Sequence, residues 1–370
     1  MKQVCAKTLL VGAVCAAMLF AGINPACALE AKVSGQINQM VMYADDGDQS
    51  DVFITDNDAS STRVRITGSE QFGQVKAGMQ FEIEAQRNAS NAVFIDQDDD
   101  GDFEWNDRWF NVYFDTRFGK FEIGKGDTAS NGTLEVDLSG TAVVTYSDIN
   151  TTGGSLIWKN DNGAEFLDIA DPTDPDYEPE YLTISDTRSN LDGILSRSER
   201  IRYNTPNFAG FTLATSAANG GAWDAALWYA GEFSGNKLAA AFGYANPQGR
   251  ADTTDGQWGG SVSWLMPFGL NLTVAYGQRD YEASGRDEAV TYYGKLGYTF
   301  DIHAFSIEYG ETTDLFAEGV DSSNYGAAYV VKPWKPIELY AAYRIYMADV
   351  DGFDDPDDIH VAVAGTRIKF

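Results

Sequence analysis

The chain reads as an all-β protein, a transmembrane antiparallel up-and-down β-barrel of about 16 strands. Three observations point there. First, segments of roughly ten residues alternate apolar and polar side chains with a period of two. A closed sheet of such strands turns one face to lipid and the other to water. Second, no stretch beyond the first 28 residues approaches 18 consecutive apolar residues, which excludes helical spans. Third, the final run His360-Val-Ala-Val-Ala-Gly-Thr-Arg-Ile-Lys-Phe370 keeps strand alternation to an aromatic last residue, where the end of a soluble domain would fray. Thr366, Ile368 and Phe370 share one face of that strand, and Arg367 and Lys369 share the other.

The elements follow in order. Lys2 and Lys7 precede a nearly apolar run from Leu9 to Phe20, and Ala26-Cys27-Ala28 supplies a small-residue cleavage site. Residues 1–28 are therefore expected to be a removed secretory signal peptide, too short and wrongly flanked to span a membrane. Cys5, Cys15 and Cys27 all fall within it, so residues 29–370 have neither a disulfide nor a thiol catalyst. Strands are expected near 31–43, 61–69, 74–86, 105–116, 119–126, 197–205, 210–217, 223–233, 237–246, 257–266, 269–279, 288–300, 303–311, 322–331, 336–347 and 358–370. Alternation is cleanest in 74–86, where Glu82 and Glu84 oppose Phe81 and Ile83; such carboxylates suit a water-filled interior better than a dry core. It is poorest in the Ala-rich pair 210–217 and 223–233. Short connections such as Glu70-Gln-Phe-Gly73 and Met266-Pro-Phe-Gly269 alternate with long ones, 44–60, 87–104, 127–196, 247–256, 312–321 and 348–357. That asymmetry fits tight periplasmic turns and long outer loops. Segment 127–196 is the outlier, and a loop of that length either has a function or hides an element. A hairpin over 141–146 and 154–159 is the alternative.

Charge limits the partners. Without Lys2 and Lys7 the chain keeps 24 basic against 55 acidic residues, a net of about −31. Nucleic acid is a poor partner for that surface, since phosphate binding needs clustered Lys and Arg. The acids gather in Asp/Gly/Asn-rich stretches between strands, which read as loops. With 21 Phe, 19 Tyr and 8 Trp, the chain can furnish aromatic girdles at two membrane interfaces.

Several runs, in this order and spacing, carry a resemblance. They are Ala31-Lys-Val-Ser-Gly-Gln-Ile-Asn, Ser61-Thr-Arg-Val-Arg-Ile-Thr-Gly-Ser-Glu70, Phe118-Gly-Lys-Phe-Glu-Ile-Gly-Lys125, Arg200-Ile-Arg-Tyr-Asn-Thr-Pro-Asn-Phe-Ala-Gly-Phe-Thr-Leu213 and Gly365-Thr-Arg-Ile-Lys-Phe370. Over essentially all of 29–370 the sequence resembles the trimeric general porins of Gram-negative outer membranes. The resemblance implies a 16-stranded barrel, a homotrimer, and a third extracellular loop folded inward to narrow the pore. Residues 127–196 hold that loop's place, with 131–140 similar to the constriction segment and the remainder an acidic insertion. It further implies that Gly365, Ile368 and Phe370 form the assembly signal read by the barrel-insertion machinery.

Two constellations bear on function. In a porin pore, basic side chains on one wall face carboxylates on the inward loop, and the transverse field sorts ions by charge. Arg63, Arg65, Lys125, Arg200 and Arg202 are candidates for the basic wall, with Lys76 beside them, and Glu135 and Asp137 for the loop. The bland reading makes them rim charges paired to neighbouring acids. The acidity of the chain predicts a cation preference, unless it is an adaptation to a saline habitat. The second constellation, Asp96, Asp98, Asp100, Asp102, Glu104 and Asp107, occupies positions 1, 3, 5, 7, 9 and 12 of a twelve-residue run with Gly101 at position 6. That is the spacing of an EF-hand-type calcium loop, with Asp107 where a longer Glu is usual and no flanking helices. The competing reading is a solvated acidic loop, like 45–51 and 349–358.

An enzyme is not expected. Residues 29–370 contain only His303 and His360, neither with a Ser and an orienting partner nearby in sequence. The main expectation is an outer-membrane channel for passive diffusion of small hydrophilic solutes and ions, with no required cofactor. The alternative is a structural or binding barrel whose acidic loops use divalent cations to bridge lipopolysaccharide or neighbouring proteins while the pore is largely occluded.

Overall fold

The computed structural model describes residues 30–97, 101, 103–160, 163–164, 166, 180–250, 254–283 and 285–370. The expected signal peptide lies outside them. The chain forms β1 (Glu30–Asp45), β2 (Ser50–Asp56), β3 (Arg63–Phe72), β4 (Val75–Arg87), β5 (Phe103–Thr116) and β6 (Gly119–Asp127). After the long segment come β7 (Arg197–Asn204), β8 (Phe211–Ala218), β9 (Trp223–Phe233), β10 (Asn236–Asn246) and β11 (Thr254–Leu265). The circuit ends with β12 (Leu270–Tyr281), β13 (Ala289–Phe300), β14 (His303–Thr313), β15 (Val320–Trp334), β16 (Ile337–Val350) and β17 (Ile359–Lys369).

β2 and β3 both pair antiparallel with β1, successive strands from β3 to β17 pair antiparallel with one another, and β1 pairs with β17 from Gln36↔Lys369 to Asp45↔His360. That last ladder removes the two free edges that a membrane would not tolerate. Phe370 extends it: its amide donates to the Gly35 carbonyl and the Gly35 amide donates back, both at 3.0 Å. Gly35 is needed there, because a Cβ would lie 2.6 Å from the Phe370 ring.

Seventeen segments make a 16-strand barrel because β2 and β3 share one place beside β1. Asp56 pairs with Gln39 and Arg63 with Gln36. The sequence reading placed 50–56 inside a loop. In fact Val52 and Ile54 point outward and Phe53 and Thr55 are buried. The flanking Asp45–Asp51 acids had hidden that alternation. The Ala-rich β8 and β9 do form, joined by a 3-10 turn over Asn219–Gly221.

The two faces differ chemically. Val33, Ile37, Val41, Phe110, Val274 and Ile307 are exposed on one; Asn38, Glu82, Ser261, Asn271, Lys295 and Glu308 are buried on the other. An exposed apolar face is what lipid requires. The opposite face is not uniformly polar. Met40, Met42, Val361 and Val363 turn to it and pack with Leu156, Trp158, Leu182 and Ile184 of the long segment in one apolar cluster. Within that segment 141–146 and 154–159 do not form a hairpin; Ile157 bridges Thr183 instead. A single helical turn, α1 (Ile184–Thr187), follows with Thr183 and Asp186 as a reciprocal capping box.

Candidate functional site

Segment 127–196 is fixed to side chains on the buried face of the wall. Near its start, Ser130 donates from both its amide and its hydroxyl to Asp224, each at 2.7 Å. Further along, the Val136 amide donates to the Ser261 hydroxyl at 3.0 Å and the Leu138 amide to that of Ser263 at 2.9 Å. The Lys295 ammonium reaches Asp137 at 2.7 Å, the Thr145 carbonyl at 2.5 Å and the Ser139 hydroxyl at 3.3 Å. Arg344, paired with Glu308 at 2.8 Å, donates to the Ile149 and Val144 carbonyls. Buried Arg188 rests on Thr291, Thr312 and Asn324. The anchors run from β9 round to β16, and the remaining space opens toward β3–β7.

There a polar cavity of about 580 Å³ lies between the segment and the wall. Arg63, Arg108, Lys125 and Arg197 line it from the wall, and Glu135, Tyr146, Asp148 and Asp192 line it from the segment. Asp58, between β2 and β3, joins them. The bases are already engaged. Arg108 pairs with Glu82 at 2.8 Å and with Glu84, Arg63 with Glu82 at 3.7 Å, Arg197 with Asp127 at 2.9 Å and Lys125 with Asp107 at 2.6 Å. None of Asp58, Glu135, Asp148 and Asp192 has a basic side chain at ion-pair distance among the described residues. Asp192 accepts from the amides of Gly132 and Leu134, Glu135 from Asn190, Asp148 from Tyr146 and Asp58 from Gln86.

This arrangement shifts the acids. Burial first, then the neighbouring carboxylates Asp192 and Asp148, push Glu135 well above the usual range. Burial and the charge of Asp58 lift Asp148 to about 7, and burial lifts Asp192 to about 6 against the pull of its amide donors. Each keeps some surface open to the cavity, where water tempers the shift.

The expected basic wall is only partly brought together. Arg63 and Lys125 line the cavity. Arg65 instead stacks over Trp109, 4.5 Å from its ring centroid, and pairs with Glu82. Arg200 is buried on Glu122 at 2.7 Å and on the carbonyls of Gly124 and Asp127. Arg202 holds the Asp127 and Thr128 carbonyls. These two arginines brace the end of β6 and the base of the segment through the carbonyls of Gly124, Asp127 and Thr128. Lys76 lies on β4, outside the cavity lining. Of the loop acids, Glu135 lines the cavity, whereas Asp137 is an anchor turned to Lys295. Arg108, Arg197, Asp58, Asp148 and Asp192 were not anticipated. Arg108 had a signal, alternating with Trp105 and Trp109, but the others depend on how the chain doubles back.

Of the twelve-residue calcium set, Glu104 and Asp107 do not converge. Glu104 and Asp107 lie in β5, pairing opposite Gln86 and Ile83. Three residues apart on an extended strand, their side chains leave opposite faces, and Asp107 is taken by Lys125. Asp98, Asp100 and Asp102 lie outside the described residues. Asp96 has a left-handed backbone, φ 66°, as does Gly101 at 65°. An apolar depression of about 650 Å³ among Leu296, Tyr298, Phe305 and Ile307 lies on the outer face, away from the polar cavity.

A family model described as Gram-negative porin matches residues 13–350. No match was found among curated protein sequences. Solved structures give the same fold at low identity. The anion-selective porin from Comamonas acidovorans is 16% identical with a TM-score of 0.61, covering 93% of this chain and all of its own. OmpT, an outer membrane protein of Vibrio cholerae, is 13% identical with a TM-score of 0.57, covering 95% of this chain and all of its own. The outer membrane channel DcaP of Acinetobacter baumannii is 14% identical with a TM-score of 0.54, again over 95% of this chain and all of its own. A closed antiparallel barrel with an apolar outer face and a polar cavity, matched over most of its length by that family model, is an outer-membrane channel protein, and the chain belongs to the Gram-negative porin family.

Proposed function

We propose that the protein is a homotrimeric, water-filled channel for passive diffusion of small hydrophilic solutes and ions, with a preference for cations. In this reading segment 127–196 lies inside the barrel and sets the narrowest cross-section. The observation that carries the cation preference is the charge balance of the cavity. Its bases are neutralised by Glu82, Glu84, Asp107 and Asp127, while Asp58, Glu135, Asp148 and Asp192 have no base at ion-pair distance among the described residues. Once Asp192 and Asp148 ionise, as pH rises through about 6 and about 7, the net negative potential in a narrow low-dielectric passage concentrates cations and excludes anions. The sign is opposite to that named for the Comamonas porin.

A purely diffusive role fits the histidines. His303 is hydrogen-bonded to the Tyr329 hydroxyl at 2.7 Å and His360 to that of Tyr343 at 2.8 Å, each an aromatic pair within the wall. Lipopolysaccharide is the expected neighbour of the acidic loops through bridging divalent ions, and the β17 end is the expected handle for insertion. Planar-bilayer recording tests the reading. Stepwise openings in threes, and a reversal potential of cationic sign in a potassium chloride gradient, are expected. An anionic sign refutes the preference, and the absence of openings favours the occluded structural barrel.

A further inference from the structure

The break between β2 and β3 is a built element rather than a fault in the wall. Asp56 faces Gln39 and Arg63 faces Gln36, so two positions of β1, Ile37 and Asn38, stand opposite the six residues 57–62. The excess is four. An even excess keeps the in-and-out alternation of β2 and β3 in phase, so the insertion leaves the wall on either side undisturbed. A larger insertion than an ordinary bulge must go somewhere, and here it goes to the cavity side, where Asp58, Ala59 and Ser60 line the opening.

The hydrogen bonds lost from the ladder are replaced. Gln36 Nε2 donates to the Ser60 and Ser61 carbonyls, both at 2.8 Å, and Asn38 Nδ2 to the Ser60 carbonyl at 2.8 Å. The Asn38 amide meets the Thr62 hydroxyl at 3.0 Å. Asn57 caps the turn through the Ala59 amide at 3.1 Å. Its Nδ2 donates to the Val143 carbonyl of the long segment at 2.9 Å and to the Tyr340 hydroxyl at 3.0 Å. A loop satisfied this completely is rigid, and it is clamped to the segment that faces it.

We propose that residues 57–62 are a second, wall-borne constriction element, and that Asp58 on it is a specificity-determining residue that meets permeating cations together with Asp148 and Glu135 of the long segment. This rests on the channel reading above. The passage then has two jaws: one is the long segment, the other a short insert in the wall. Gln86 donates to the Asp58 carboxylate at 3.0 Å, and Glu84, Arg63 and Arg108 line the same cavity from β4, β3 and β5. Tyr146 and Asp148 face it from the long segment, within the same cavity.

The register offers a direct test. Excising Asp58–Ser61 removes the four excess residues and lets β2 run into β3 as one strand against β1. Single-channel conductance of the excised protein is expected to rise by roughly half, since the narrowest section loses one of its jaws. Asp58→Asn keeps the shape and should lower the cation-over-anion permeability ratio roughly two-fold at unchanged conductance. If the excised protein does not fold, Asp58→Cys decides the matter. Cys5, Cys15 and Cys27 all precede Leu29, so the new thiol is unique in a chain expressed from that residue. A cationic methanethiosulfonate should label it and reduce the current. A thiol that stays unreacted, a current unaltered by complete labelling, or folded variants with wild-type conductance and selectivity would each overturn the inference. Absence of wild-type openings would instead defeat the channel reading on which it rests.

Discussion

Lys295→Met isolates what the anchors of the long segment are worth. The ammonium is fully buried and Asp137 is 3% exposed. Its three donors meet three acceptors, Asp137, Ser139 and the Thr145 carbonyl. Methionine fills nearly the same volume but donates nothing. Asp137 would keep only the Ser139 amide at 2.6 Å, and the Thr145 carbonyl would lose the ammonium. Stranding one partner of a buried pair costs about 3–5 kcal/mol. At about 1.4 kcal/mol per decade, the undocked population of 136–145 would rise by roughly two to three and a half orders of magnitude. Cleavage of folded protein by a broad-specificity protease tracks such an opening equilibrium when reclosing is fast, while heat-modifiable migration reports whether the barrel is intact. The double variant Lys295→Met/Asp137→Leu removes the stranded charge and should recover most of the resistance. Wild-type resistance in the single variant, or a double variant no better than the single, would refute the reasoning.

Four further outcomes are expected. Asp148 and Asp192, lifted to about 7 and about 6 by burial, ionise as pH rises through that window, so cation preference should grow with pH; a flat reversal potential between pH 5 and 8 would count against it. The sign for stability is the reverse. These acids are held protonated in the fold but ionise near 4 when unfolded, so their contribution is present below about 4 and erodes as pH rises toward 7, as denaturant midpoints would show. Gly269→Ala should destabilise the barrel by more than about 1 kcal/mol, because the residue sits at φ 97° and a Cβ would lie 2.0 Å from the Thr299 carbonyl oxygen. Gly35→Val should cost about 1–3 kcal/mol by driving a branched side chain into the Phe370 ring, read as a lower unfolding temperature; an unchanged midpoint would remove the ring from the seam.

Much of the wall was legible because period-two alternation is a local signal. Segments such as 74–86 and 303–311 carry it in full, and even the Ala-rich 210–217 held its place through its neighbours. The strand at 50–56 was obscured because Asp45–Asp51 drowned four alternating residues, and because nothing local announces a strand that stops and resumes six residues later. Arg63 and Lys125 were found by their place on strands. Arg200 and Arg202 were on strands too, but the carbonyls of 124–128 claimed them. Asp148 and Asp192 carry no pattern at all. Their position follows from the docking of Leu134, Val144 and Ile149 against distant strands, a matter of tertiary packing that no window of sequence contains.

The apolar cluster shared by Met40, Met42, Val361, Val363, Leu156, Trp158 and Leu182 straddles the ladder between β1 and β17. The cylinder's closing joint is therefore backed from within by the same residues that give the long segment its own core. A wall joined only by hydrogen bonds could be zipped first and furnished afterwards. Here the joint and its backing bury one another, so each is incomplete alone. Loosening either one is therefore expected to weaken the other, so a truncation at Trp158 should lower the unfolding temperature of the barrel as well as loosen the segment.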